Sequence, residues 1–150
     1  LMAEISALAN DSDTKRISLS DGTSSNRISI YLSDNSVGLV QVSEGSVNIN
    51  TNFTGYDATL NSKIIAKYKQ NDFALWINGY KVFTDTSGNA YGDGVLDTLN
   101  FDNGYSGNNF YGSAKQIQYF DSALNDSDLE TITSWTSFTD LANGQTYSIK

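Results

Sequence analysis

Three residue types are missing from this 150-residue chain: cysteine, histidine and proline. Without cysteine there is no disulfide framework and no thiolate chemistry. Without histidine there is no imidazole base, no Ser-His-Asp triad and no His-ligated zinc. Glutamate is scarce, with Glu4, Glu44 and Glu130 set against fourteen aspartates. The nine basic residues are scattered singly and leave a net charge of -8. Binding to the phosphate backbone of nucleic acid needs clustered Lys and Arg, so that partner class is excluded. No apolar run approaches the roughly 18 residues of a membrane-spanning helix, and no membrane insertion is expected. No signal peptide is visible, and the opening Leu1-Met2 falls within a strand pattern. The chain therefore reads as a piece of a longer protein.

What is abundant points to strands. Asn, Asp, Ser, Thr and Gly dominate the non-apolar positions, and these are turn and strand-edge residues that form helices poorly. Nine Tyr, seven Phe and two Trp, within 39% apolar content, suffice for a sizeable core. Short alternating segments recur between turn signals. Leu1, Ala3, Ile5 and Ala7 share one face, as do Ile17 and Leu19, then Ile28, Ile30 and Leu32, with Ser29 and Tyr31 turned outward. Further segments follow at 37–42 and 46–50. This period-2 pattern at close spacing is the signature of a sandwich or barrel.

The middle of the chain is the most explicit. Residues 63–69 form a strand, Lys69-Gln70-Asn71-Asp72 a turn, and 73–77 and 80–84 two strands joined by Asn78-Gly79. Asn-Gly between two apolar runs marks a type I′ hairpin, because both loop residues need positive φ. The two-residue loop predicts the pairs Ile77–Tyr80, Trp76–Lys81, Leu75–Val82 and Ala74–Phe83. Phe73, Leu75, Ile77, Tyr80 and Val82 then share the core face, and Trp76 the opposite one with Lys81, Lys67 and Ile65. A long Gly/Asp/Asn loop, 85–97, precedes a strand at 98–101, a second loop at 102–109 and a long strand at 110–120 that carries Ile117 and Tyr119. One helix is expected, 126–135, with Asn125 as N-cap, Asp128 in the capping-box position, and Leu129 and Ile132 as a short apolar stripe. About ten strands and one short helix make an all-β, antiparallel two-sheet sandwich. The first and last strands pair.

Three stretches in order carry a family resemblance. They are Lys67 to Gly79 with its strand-turn-strand, Phe110-Tyr111-Gly112 opening a long strand, and Tyr119 to Glu130 with an Ala-Leu-Asn-Asp turn before a capped helix. Together they resemble laminin-G / concanavalin A-like jelly-roll domains, and most closely those in tail-fibre proteins of bacterial viruses. In that subgroup Arg16 to Thr23 and Asp85-Thr86-Ser87-Gly88 also look familiar. The resemblance covers residues 1–135, and 136–150 read as a C-terminal extension or linker whose Phe138, Leu141, Tyr147 and Ile149 either pack back or begin a further module. It implies carbohydrate or glycoprotein binding in some members and pure architecture in others. An enzyme branch with a similar sandwich uses two Glu and one Asp on a single strand. This chain has no such Glu-x-Asp-x-x-Glu run, and glycoside hydrolysis needs two facing carboxyls about 5–9.5 Å apart, so no enzyme activity is expected. Many members bind Ca²⁺ through an acidic residue early in the long C-terminal strand, where Lys115 and Gln116 stand here; an ammonium in that place should abolish that site. Asp93, Asp97 and Asp102 in the loops could instead make a calcium site with backbone carbonyls, or be turn residues.

Several side chains are candidates for binding sugar. A Trp on an outer sheet face offers its indole to the C–H face of a pyranose, so Trp76 is the first. Tyr31 would extend the platform, and Lys67 and Lys81 would hydrogen-bond hydroxyls or an acidic sugar. Asp102, Asn103, Tyr105 and Asn108 form a polar, aromatic-bearing loop at a strand end, where binding loops often sit. Each has a plainer reading: Trp76 covered by a layer or a partner, Tyr31 an ordinary strand tyrosine, the loop residues turn chemistry. Trp135 is read as plugging the core edge. The expected function is a non-catalytic, lectin-like domain that recognises a polysaccharide on a host cell surface. Its expected place is the virion surface, in a tail fibre, or another extracellular setting. The alternative is a structural spacer that packs against identical subunits in a fibre, without a sugar site.

Overall fold

The computed structural model describes residues 1–137, 139, 140 and 143. The expectations for Phe138, Leu141, Tyr147 and Ile149 lie outside these residues. Among the described residues, these strands and this helix follow in chain order: β1 (Met2–Ala7), β2 (Lys15–Ser20), β3 (Arg27–Ser33), β4 (Ser36–Ser43), β5 (Ser46–Thr54), β6 (Ser62–Lys69), β7 (Asp72–Ile77), β8 (Tyr80–Asp85), β9 (Thr98–Asn100), β10 (Gly112–Gln118) and α1 (Asp126–Thr133). They form two antiparallel five-stranded sheets. The first has the order β10-β1-β6-β7-β8 and the second β5-β4-β3-β2-β9. The protein is thus an all-β, concanavalin A-like sandwich with one short C-terminal helix. The first and last strands pair, Ala3 opposite Ile117.

Period-2 alternation decides which side chains meet between the sheets. Ala3 and Ile5 of β1, Ile64 and Ala66 of β6, and Phe73 and Leu75 of β7 face Ile17, Ile28, Ile30, Val37 and Leu39 of the second sheet. These positions are 0–1% exposed, which makes one continuous apolar layer. The Asn78-Gly79 turn has φ of 49° and 88°, as a type I′ hairpin requires. Ile77 pairs with Tyr80 and Trp76 with Lys81, and then a β-bulge intervenes. Beyond it Leu75 pairs with Phe83 and Ala74 with Thr84, one residue off the simple register. Both Val82 and Phe83 therefore pack on the core, and Tyr80 stands 74% exposed rather than inward.

The first sheet's outer face is not left to water. Met2, Ile65, Ala74 and Trp76 project there and are covered by Leu129 of α1, with Phe120, Leu124 and Ile132 around it. The helix is held at its start by Asn125, whose Oδ1 accepts from the Asp128 backbone N–H at 2.9 Å while its Nδ2 donates to the Asp128 carboxylate at 2.8 Å. Trp135 sits half-buried over the β7–β8 hairpin, where its Nε1 donates to Asn78 Oδ1 at 3.2 Å and the Lys63 ammonium lies 4.6 Å from the ring centroid.

Candidate functional site

The sugar platform expected at Trp76 is closed. Its indole does turn away from the main core, as the register requires, but only 5% of it is exposed, because α1 lies across it. Its neighbours are occupied too. Lys81 donates to the Asp126 carboxylate at 2.7 Å and lies 5.7 Å from the Trp76 centroid. Lys67 pairs with Asp72 at 2.8 Å and Asp126 at 3.6 Å. Lys67 and Lys81 thus pin the first turn of α1 to the sheet, where carboxylates suit the helix N-terminus. The hydrogen bond from Lys81, ahead of the charges of both lysines, holds the Asp126 carboxyl below the usual carboxylate range.

Tyr31 cannot extend that platform, since it lies on the outer face of the other sheet. There the ring lies over β4 at Gly38. A Cβ on Gly38 would come within 2.3 Å of the ring and 2.1 Å of the Thr51 carbonyl oxygen. Glycine therefore lets the phenol cross the strand and donate to Thr51 O at 2.9 Å. Only 9% of Tyr31 stays exposed, so it serves as a floor rather than a stacking surface. Burial raises its phenol above the ordinary tyrosine value.

What the second sheet's outer face carries is a pair of arginines, Arg16 on β2 and Arg27 on β3, the only two in the chain. The pairing Arg16–Tyr31, Ser18–Ser29, Ser20–Arg27 puts them on the same face, at opposite ends of a row of small residues. The Arg16 guanidinium lies 5.4 Å from the Tyr31 centroid and within 3.5 Å of Ser29 Oγ. That of Arg27 lies 4.9 Å from the Tyr105 centroid and donates to the Ser24 carbonyl. Neither forms an ion pair with a carboxylate among the described residues, and the Nε of each is buried without a hydrogen-bond partner. Burial first, and the Arg27 charge second, lower the Arg16 pKa. Two cations on one face without an acidic partner favour an incoming anion, and the planar guanidinium fork suits a carboxylate.

The 102–108 loop lies across this face, over the small residues between the two arginines, and leaves Ser18, Ser20 and Ser29 unexposed. Ser18 Oγ donates to Asp102 O at 2.9 Å and Ser20 Oγ to Gly104 O at 2.8 Å. A Cβ on Gly104, whose φ is 95°, would come within 2.9 Å of Ser20 Cβ. The Asp102 and Asn103 side chains are spent on this loop. The Asp102 carboxylate accepts from Gly104 N at 2.6 Å, Asn103 is buried and accepts from Ser106 N at 3.1 Å, and the Asn108 carbonyl accepts from Arg16 N at 3.1 Å. Of the four loop candidates, Tyr105, 46% exposed, brings its ring to Arg27, and Asn108 is exposed beside Arg16.

Asp93, Asp97 and Asp102 are not gathered as a metal site. No group of three acidic side chains is placed to hold a metal ion among the described residues. The Asp97 carboxylate accepts from its neighbour Thr98 Oγ1 at 2.8 Å, and that of Asp102 from Gly104 N, as turn residues do.

Arg16 and Arg27 were missed because they look isolated in the sequence. The alternation already carried the signal: with Ile17, Leu19, Ile28 and Ile30 inward, both arginines must face outward on paired strands.

No protein-family model matches the chain, and no curated protein sequence matches it. Solved structures do. The CBM40 module of the Ruminococcus gnavus IT-sialidase superposes with a TM-score of 0.68 at 16% identity, over 89% of this chain and 80% of that one. The same module bound to α2,3-sialyllactose gives 0.69 at 15% identity, over the same shares of the two chains, 89% and 80%. The leech intramolecular trans-sialidase complexed with 2,7-anhydro-Neu5Ac gives 0.63 at 15% identity, over 91% of this chain and 23% of that one. At such identities the likeness is one of fold: the jelly-roll sandwich that these carbohydrate-binding modules use.

Proposed function

We propose that this chain is a non-catalytic glycan-binding module, and that its site is the outer face of the second sheet, where Arg16 and Arg27 take the carboxylate of an acidic sugar. The observation that carries the reading is the arginine pair itself. In a chain with seventeen acidic residues, the only two arginines lie on one face and neither has an acidic partner among the described residues. Tyr105, exposed beside Arg27, supplies a hydroxyl and an apolar ring edge for the rest of the sugar. Solved neighbours with this fold are bound to α2,3- and α2,6-sialyllactose, which are carboxylated glycans. The groups this face offers for binding are the two guanidinium groups and the exposed Tyr105.

The setting we propose is the one that the sequence resemblance implies: a surface-exposed, extracellular part of a larger assembly, such as a tail fibre of a bacterial virus, recognising polysaccharide on a host cell. One site of this kind binds weakly, and several copies supply avidity. The test is titration calorimetry with 3′-sialyllactose, glucuronic acid and lactose. Binding of the acidic sugars, silence with lactose, and loss in both Arg16→Ala and Arg27→Ala are expected. Equal binding of lactose, or retention of binding in the double variant, would overturn the proposal. The spacer reading draws on the burial of Trp76, and it stands if every glycan is silent.

A further inference from the structure

We infer that β5 is an assembly edge, which pairs antiparallel with β5 of a second copy of this chain and fuses the two second sheets into one of ten strands. The sandwich ends in four edge strands, β10 and β8 in the first sheet and β5 and β9 in the second. An edge presents unpaired N–H and C=O groups and invites another strand unless it is short, charged or covered. Three of the four have such protection. β9 is only three residues long, β8 carries Lys81 and Asp85, and β10 carries Lys115.

β5 differs from all of them. At nine residues it is the longest strand, and its sequence, SVNINTNFT, holds no charge and no glycine. It pairs with β4 on one side and with no strand on the other among the described residues. One bulge near its start is its sole irregularity, and Ile49–Thr54 run in unbroken register against β4. Such a short, uncharged, strand-prone segment is the type that pairs edge to edge.

The occupant follows from charge and symmetry. Each copy carries a net charge of -8, so two copies repel except along a line that is neutral on both. A two-fold contact needs a surface complementary to itself, and an antiparallel strand meets that condition. Side chains on one face stay on that face, so with the two-fold axis near Thr51, Ile49 meets Phe53 of the second copy on the inner side and Asn50 meets Asn52 on the outer. Phe53, 41% exposed in the single chain, is then covered. The contact is small for a protein interface, so association is weak and becomes appreciable at the high local concentration of an assembly. If the glycan reading above holds, the shared sheet also sets two arginine pairs on one continuous face, fit to grip two acidic residues of one polysaccharide.

The native lack of cysteine makes the test clean. Under mild oxidation, an equimolar mixture of Asn50→Cys and Asn52→Cys should give a disulfide dimer, whereas Thr84→Cys on β8 and Ser113→Cys on β10 should not. Sedimentation at near-millimolar concentration should show a dimer of the parent chain, weakened at least tenfold by Asn50→Lys and by Asn52→Glu. Circular dichroism and melting temperature should be unchanged in both variants. A parent that remains monomeric, cross-linking as efficient at β8 or β10, or a dimer indifferent to both charges would overturn the inference. Titration with monovalent 3′-sialyllactose separates the two claims: binding without self-association removes only the assembly edge, and self-association without binding removes only the glycan site.

Discussion

Replacing Trp76 by alanine separates a platform from a core residue. The ring is 95% withdrawn from solvent, since its exposure is 5%, and it is packed between β6, β7 and Leu129 of α1. A tryptophan buries about 150–250 Å², which at about 25 cal/mol per Å² corresponds to roughly 4–6 kcal/mol as an upper bound. The indole Nε1 is buried without a hydrogen-bond partner, and removing it returns part of that. The net expectation is a loss of about 3 kcal/mol, or about 6–12 °C in Tm for a chain of this size. Trp76→Phe, which keeps most of the apolar area and discards the orphan N–H, should stay within about 1 kcal/mol of the parent. Urea unfolding followed by circular dichroism measures both, and calorimetry with 3′-sialyllactose on the folded variants measures binding. A Trp76→Ala protein as stable as the parent that no longer binds sugar would refute the reasoning and restore the indole as the platform.

Gly38→Ala drives a methyl group against the Thr51 carbonyl and the Tyr31 ring, and a loss of roughly 1–3 kcal/mol is expected; an unchanged thermal melt would contradict it. Asn125→Ala removes the cap of α1 and should cost about 1 kcal/mol in urea titrations, with faster acrylamide quenching of tryptophan as the helix frays from Trp76. Asp126→Asn tests the lysine clamp through pH. The folded carboxyl titrates lower than the unfolded one, so its stabilisation is present above the ordinary carboxylate range and is lost as pH falls through the depressed value. Asp126 is largely exposed, so the gap between parent and variant should be about 0.2–1 kcal/mol at neutral pH and close in acid; a gap that widens on acidification would contradict it.

The fold was legible because its determinants are local. Alternation in β1, β3, β6 and β7, the Asn78-Gly79 turn and the Asn125 cap each act within a few residues, and they reappear where they were expected. The bulge at the β7–β8 hairpin was not legible, because Val82 and Phe83 are both apolar and either can face the core. The stacking platform expected at Trp76 is covered instead by α1. Trp76 was assigned to the correct face of its strand, but what covers a face depends on where α1 returns, and that is a tertiary fact. The clue was present: Met2, Ile65, Ala74 and Trp76 form an apolar outward row, and the Leu129 stripe needs such a surface. In the 102–108 loop, the Asp102 and Asn103 side chains show how often loop polarity serves the backbone of the loop itself.

The two arginine side chains give the most direct test of the glycan site, because a chain with only Arg16 and Arg27 shows only two Nε–H resonances in a nitrogen-correlated NMR spectrum. In a titration with 3′-sialyllactose both should shift together along one saturable curve, and neither should move with lactose or with the sialyllactose methyl ester, whose carboxylate is masked. If the ester shifts them as the acid does, or if sugar binds while both signals stay still, the carboxylate is not what this face recognises.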